Sequence, residues 1–168
     1  MSILVVDDCR EGREIFKVVL TKGGYSDVIA LESATAAFSF LGLDAADIRD
    51  TPPVDLILFD VVLPDLDGIQ ACARVRRDAR YVHVPIVMVT GLDDMEIVDK
   101  AFKNGATDYL TKPLKAVDLL ACVRAKALLK AELDRRNARE RELMEHLPLS
   151  FDCYELADER AIDGLPIG

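Results

Sequence analysis

Val54-Asp55-Leu56-Ile57-Leu58-Phe59-Asp60 is an apolar run closed by one carboxylate, and the turn Pro64-Asp65-Leu66-Asp67-Gly68 follows soon after it. Leu, Ile and Phe on successive positions suit a strand buried on both faces of a parallel sheet. Such a strand delivers its last residue to the carboxyl edge of the sheet, where open α/β proteins bind ligands. Asp60 therefore stands where a ligand-binding or reacting carboxylate is expected.

Working upstream, Ile3-Leu4-Val5-Val6 is a second apolar run, and it too ends in carboxylates, Asp7 and Asp8. A helical pattern follows, with Ile15, Val18, Val19 and Lys22 expected on one face and Gly23-Gly24 stopping it. Val28-Ile29-Ala30-Leu31 reads as a weaker strand, and Ser33 as the cap of a helix carrying Ala37, Phe40 and Leu41. Residues 42–53 read as a polar surface loop.

Downstream of the turn, 69–78 has helical spacing at Ile69, Cys72, Ala73 and Arg76. Pro85-Ile86-Val87-Met88-Val89 is a fourth strand ending at Thr90-Gly91. Asp93 or Asp94 can cap a helix that runs through Phe102 and stops at Gly105. Thr107 to Leu110 is a short fifth strand before Thr111-Lys112-Pro113, and a long helix starts near Leu114. Strands alternating with helices predict a parallel sheet covered on both faces by right-handed crossovers. The expected strand tips carry Asp7-Asp8, Asp60, Thr90 and Lys112.

If strands one and three are neighbours, Asp7, Asp8 and Asp60 converge where the crossovers change direction. Three carboxylates that close repel one another unless a cation joins them. Oxygen donors without His or Cys favour a hard divalent ion, and Mg²⁺ suits a few carboxylates shared with phosphate. Lys112 adds a positive charge for a phosphoryl oxygen, and Thr90 a hydroxyl. That set serves phosphoryl transfer onto a carboxylate, where positioning and charge neutralisation do most of the catalysis. Each residue also has a local reading: Asp7 and Asp8 as helix caps, Asp60 and Thr90 as turn residues, Lys112 as a solvated charge. Their joint occurrence at the ends of the right strands favours the site.

Composition narrows the alternatives. The apolar share is 51%, ample for a core, and the net charge of −9 argues against direct nucleic-acid contact. No run of about 18 apolar residues suggests a membrane span. Met1-Ser2-Ile3-Leu4 lacks the basic start of a secretory signal, so a cytoplasmic location is expected. Cys9, Cys72, Cys122 and Cys153 show no metal or disulfide spacing and read as reduced thiols.

At these residues the chain resembles the receiver domains of bacterial two-component response regulators. The matching pieces are residues 3–8, then Asp60-Val61-Val62-Leu63-Pro64-Asp65-Leu66-Asp67-Gly68, residues 87–91, and residues 105–113 through Lys112-Pro113. The resemblance covers about residues 1–127. It implies a flavodoxin-like, doubly wound five-stranded parallel sheet in the order 2-1-3-4-5, here with an extended C-terminal helix. It implies Asp60 as phosphoacceptor, Asp7 and Asp8 as the acidic pair for Mg²⁺, and the backbone carbonyl of Val62 as a further contact. Lys112 matches the phosphate-binding lysine, joined to Pro113 by a cis peptide. Thr90 matches the switch hydroxyl, and Tyr109 the aromatic that turns inward with it. The donor it implies is a sensor histidine kinase or phosphotransfer protein. The chain departs from the family pattern at Val62 and Leu92, where polar groups can position an attacking water; slow autodephosphorylation is expected. Cys9 stands where a polar residue is commoner, either as an inert thiol or as one that tunes the site on oxidation.

Beyond the receiver, residues 128–147 read as a helical linker, with Val123, Lys130, Asn137 and Met144 as the inner positions of a short parallel coiled coil. Residues 148–168 read as a tail or the start of an output domain. The phosphoryl state is expected to bias the surface around Lys100, Asp108 and Arg124, with a homodimer formed through the fourth and fifth helices and the linker. No enzymatic activity is expected beyond self-phosphorylation and its reversal. The competing readings are a Mg²⁺ phosphohydrolase of the haloacid dehalogenase type, which wants a second Asp where Val62 stands, and a receiver-like scaffold that is never phosphorylated.

Overall fold

A computed structural model describes residues 1–43, 52–91 and 95–146. The elements alternate along the chain: β1 (Ser2–Val6), α1 (Arg10–Lys22), β2 (Asp27–Leu31), α2 (Ala34–Leu41), β3 (Leu56–Asp60), α3 (Gly68–Arg76), β4 (Ile86–Thr90), α4 (Met95–Lys103), β5 (Asp108–Thr111) and α5 (Ala116–His146). The sheet is parallel throughout and runs β2-β1-β3-β4-β5, the expected order. Leu92, the cap at Asp93 or Asp94, most of the 42–53 loop, Cys153 and residues 148–168 lie outside the described residues.

The alternation of side chains along each strand builds two cores. Ile3, Val5, Leu56, Leu58, Val87 and Val89 face Phe16 and Leu20 of α1 and Leu119 and Val123 of α5. Leu4, Val6, Ile57, Phe59, Ile86 and Met88 face the other way, toward α2, α3 and Ala101 of α4. Both faces of the central strands are therefore dry, which is why their sequences are unbroken apolar runs. Register brings Val6 level with Phe59 and Asp60 level with Val89, so the residues that follow these pairs leave the sheet at one edge.

Ser33 caps α2, accepting a hydrogen bond from the Ala36 N–H at 3.1 Å. The expected face of α1 is corrected: Phe16 and Leu20 are buried, whereas Ile15 and Val18 are 53% and 49% exposed. Helical spacing fits either stripe, and the larger Phe16 takes the sheet side, with Val19 and Leu20 beside it. Two inner positions of the expected coiled coil are corrected as well. Val123 is fully buried in the sheet core, and Lys130 lies 3.4 Å from Asp55. The first two inner positions are thus committed within the receiver.

The chain divides into two compact units, 1–132 and 133–168. Of the second, 133–146 is described as helix, and its side chains over 133–145 are exposed. Among the described residues, no helix is long and apolar enough to cross a membrane.

Candidate functional site

The carboxyl ends of β1 and β3 bring Asp7, Asp8 and Asp60 together: one carboxylate oxygen from each lies within 4.8 Å of the other two. Asp7 and Asp60 are buried and Asp8 is exposed. Lys112, which follows β5, reaches back over the sheet edge. Its ammonium lies 2.5 Å from Asp60 Oδ2 and 2.9 Å from Asp7 Oδ2. Its own N–H donates to the Thr90 carbonyl at 2.7 Å, which sets the start of the side chain. The Lys112-Pro113 bond is cis, as the family resemblance implied.

Local backbone holds each acid in place. The Val62 N–H donates to Asp60 Oδ1 at 3.0 Å, and the Cys9 N–H to Asp7 Oδ1 at 2.8 Å. With Lys112 on their Oδ2 atoms, both buried carboxylates are hydrogen-bonded on both oxygens, which buried charges require. Burial pushes the Asp60 carboxyl above its usual 3.8, and the bonds from Lys112 and Val62 do not cancel that effect. Burial pulls the Lys112 ammonium down, but the bonds and charges of Asp60 and Asp7 more than reverse it and leave it above 10.5.

Three ionised carboxylates and one ammonium leave two negative charges at the cluster, the complement of a divalent cation. An octahedral Mg²⁺ with ligands at about 2.1 Å spaces its oxygens roughly 3 to 4.2 Å apart. The cluster fits that span with a small inward movement or one bridging water. Asp7, Asp8 and Asp60 can thus hold a hard divalent ion.

Thr90 is buried at the end of β4, one residue past the Val89 that pairs with Asp60. Tyr109 points outward, 37% exposed, with its ring edge-on to Phe102 at a centroid separation of 6.2 Å. The Val62 side chain is 61% exposed beside the acceptor. Cys9 is exposed, and its thiol donates to Glu11 at 3.2 Å. Of the wider surface expected to respond, Lys100 and Arg124 are exposed, and Asp108 is 2.8 Å from Lys126.

Four supporting residues escaped the sequence reading. Arg13 donates from one guanidinium nitrogen to the carbonyls of Asp7 and Asp8, at 2.7 and 2.9 Å. Gly12 lies so close to Asp7 that a Cβ there would sit 3.1 Å from both carboxylate oxygens. Asp65 accepts from the N–H groups of Ala34 and Thr35 and from the Thr35 hydroxyl, so the loop after Asp60 is fastened to the start of α2. Arg76 is half-buried and donates to the carbonyls of Gly105, Tyr81 and Val84, tying α3 to the entrances of β4 and β5. Only Gly12 has a sequence cue, a glycine inside a helix beside the acidic pair.

Residues 3–124 match the family model described as the response regulator receiver domain. The chain is 35% identical over 138 residues to the response regulator PleD of Caulobacter vibrioides, covering 82% of this chain but 28% of PleD. A CheY-like receiver domain from Methanospirillum hungatei aligns with a TM-score of 0.68 at 25% identity, covering 78% of this chain and 96% of that one. The receiver domain of the sensor histidine kinase PA1611 from Pseudomonas aeruginosa, solved with magnesium coordinated in its active site cleft, aligns at TM-score 0.63 and 26% identity, covering 74% and 94%. Sheet order, the acidic edge and the family match over 3–124 agree: this chain belongs to the response regulator receiver family.

Proposed function

We propose that this chain receives a phosphoryl group on Asp60 from a phosphohistidine of a sensor kinase or phosphotransfer protein. One observation carries the reading: the Lys112 ammonium bridges Asp60 and Asp7 inside a cluster with the charge of a divalent-ion site. In the transfer, an Asp60 oxygen attacks phosphorus while the P–N bond of the donor breaks. The electron pair leaves with the imidazole nitrogen, and an acyl phosphate remains on Asp60.

Asp7, Asp8, Asp60 and the Val62 carbonyl hold Mg²⁺ in this reading, in keeping with the magnesium bound by the PA1611 receiver. When bound, the ion neutralises charge on the transferring oxygens. Lys112 leaves its carboxylate partners for a phosphoryl oxygen, and the Val62 N–H keeps Asp60 oriented. Thr90 then moves toward the phosphoryl group and Tyr109 turns inward from Phe102, reshaping the α4–β5 surface. That surface exposes Met95, Phe102 and Tyr109, and α5 exposes Val117, so homodimerisation through these elements is its proposed output. A cytoplasmic location accompanies this proposal.

The test is intact-protein mass after incubation with Mg²⁺ and acetyl phosphate, with Asp60→Asn alongside. A single phosphoryl gain in the parent, absent in the variant and without Mg²⁺, supports the reading. No gain from acetyl phosphate, together with no Mg²⁺ binding by calorimetry, favours the scaffold reading instead.

A further inference from the structure

We propose that Arg13 is a positioning residue that sets the divalent-ion affinity of the acidic edge, acting through the backbone of Asp7 and Asp8. The inference rests on the metal-site reading above and extends it to a residue outside the acidic set.

Arg13 sits in the first turn of α1, where its N–H donates to the Cys9 carbonyl at 3.0 Å. From there its side chain turns back on the loop that it follows. One nitrogen, Nη1, takes the carbonyls of Asp7 and Asp8 together, at 2.7 and 2.9 Å. Those bonds fix the peptide planes on either side of the Asp8 Cα. The first plane lies just past the end of β1; the second contains the Cys9 N–H, which donates to Asp7 Oδ1. One cation therefore holds the backbone that aims both carboxylates. Asp8 has most to gain, since it is exposed where Asp7 is buried.

Two effects of Arg13 on a bound cation have opposite sign. Its positive charge beside the cluster repels a divalent ion, so charge alone predicts tighter binding once Arg13 is removed. Its grip on the ligand backbone preorganises the site, so positioning predicts weaker binding. Outer-shell groups that orient metal ligands are typically worth 10- to 100-fold in affinity. Positioning should outweigh charge here, because Nη1 bonds two backbone carbonyls of the ligand residues themselves.

The experiment is calorimetric titration of Mg²⁺ into the full chain, the parent against Arg13→Met and Arg13→Lys, with thermal melts in EDTA. Arg13→Met is expected to bind about tenfold more weakly. Arg13→Lys is expected to stay within about threefold of the parent, because a single nitrogen makes both bonds and an ammonium has donors for both. In an Asp8→Asn background the Arg13→Met loss should shrink, since its target ligand is gone. Equal or tighter binding by Arg13→Met overturns the proposal while leaving the metal site standing. A parent that binds no Mg²⁺ overturns both. If Arg13→Met does not fold in EDTA, Arg13→Gln takes its place: binding equal to or tighter than the parent's overturns the inference, and binding about tenfold weaker is expected.

Discussion

A Cβ on Gly68 would lie 1.9 Å from the carbonyl oxygen of Asp60 and 3.0 Å from the Val61 Cα. The first turn of α3 thus presses against the backbone of the acceptor strand, and the Gly68 N–H bonds the Val61 carbonyl at 2.9 Å. Backbone, unlike the tip of a side chain, has no rotamer with which to retreat. Gly68→Ala is expected to lose at least about 2 kcal/mol of stability. Urea unfolding checks this: the midpoint should fall with the slope unchanged.

Asp60→Asn is expected to stabilise the chain in the absence of divalent ions. Because burial raises the Asp60 pKa above 3.8, its ionisation costs nothing below that value and a growing amount as pH rises through the folded pKa. The asparagine removes that cost. Its melting temperature in EDTA should exceed the parent's by about 2–4 °C at pH 7, with the difference narrowing toward pH 4. Added Mg²⁺ should reverse the order. A constant difference across this range would sink the argument.

Lys112→Met should show the opposite profile at the alkaline end. The folded pKa of Lys112 lies above 10.5, so its stabilising contribution is full below that value and fades as pH rises through the folded pKa. The variant should melt well below the parent at pH 7, where two buried carboxylates lose their shared partner. The gap should close as pH climbs past 10.5.

Val62→Asn should shorten the life of the acyl phosphate. The exposed apolar side chain of Val62 offers no hydrogen bond to a water approaching Asp60. An amide that orients that water is expected to speed loss of the phosphoryl group about tenfold, the ~1.4 kcal/mol that one hydrogen bond supplies. Phosphoryl decay after donor removal, followed by intact mass, measures it.

The sheet and its chemical edge were legible because a doubly covered parallel strand leaves an unmistakable apolar run, and the polar residue after each run is where the chain leaves the sheet. Asp7, Asp60 and Thr90 stand at such ends, whereas Lys112 follows the half-exposed edge strand β5 and is legible only through its Lys-Pro pair. Ile15 and Val18 misled because α1 carries apolar residues on two stripes, and spacing alone cannot say which one faces the strands. Val123 misled for a related reason. A helix that packs on a sheet and a helix that packs on a copy of itself share the same spacing over a few turns. Arg13, Asp65 and Arg76 bond mainly to backbone groups, which carry no residue identity, so the sequence does not announce these contacts.

The Asp65 carboxylate has a consequence of a different kind. It spans from the acceptor loop to the amides of Ala34 and Thr35, residues that belong to another crossover of the fold. Those two amides are built-in probes of the loop, sensitive to its position although remote from the chemistry in sequence. If acyl-phosphate formation draws residues 61–67 inward, their NMR shifts should change along with those of Val62. With the carboxylate removed by Asp65→Ala, Ala34 and Thr35 should fall silent while Val62 still reports.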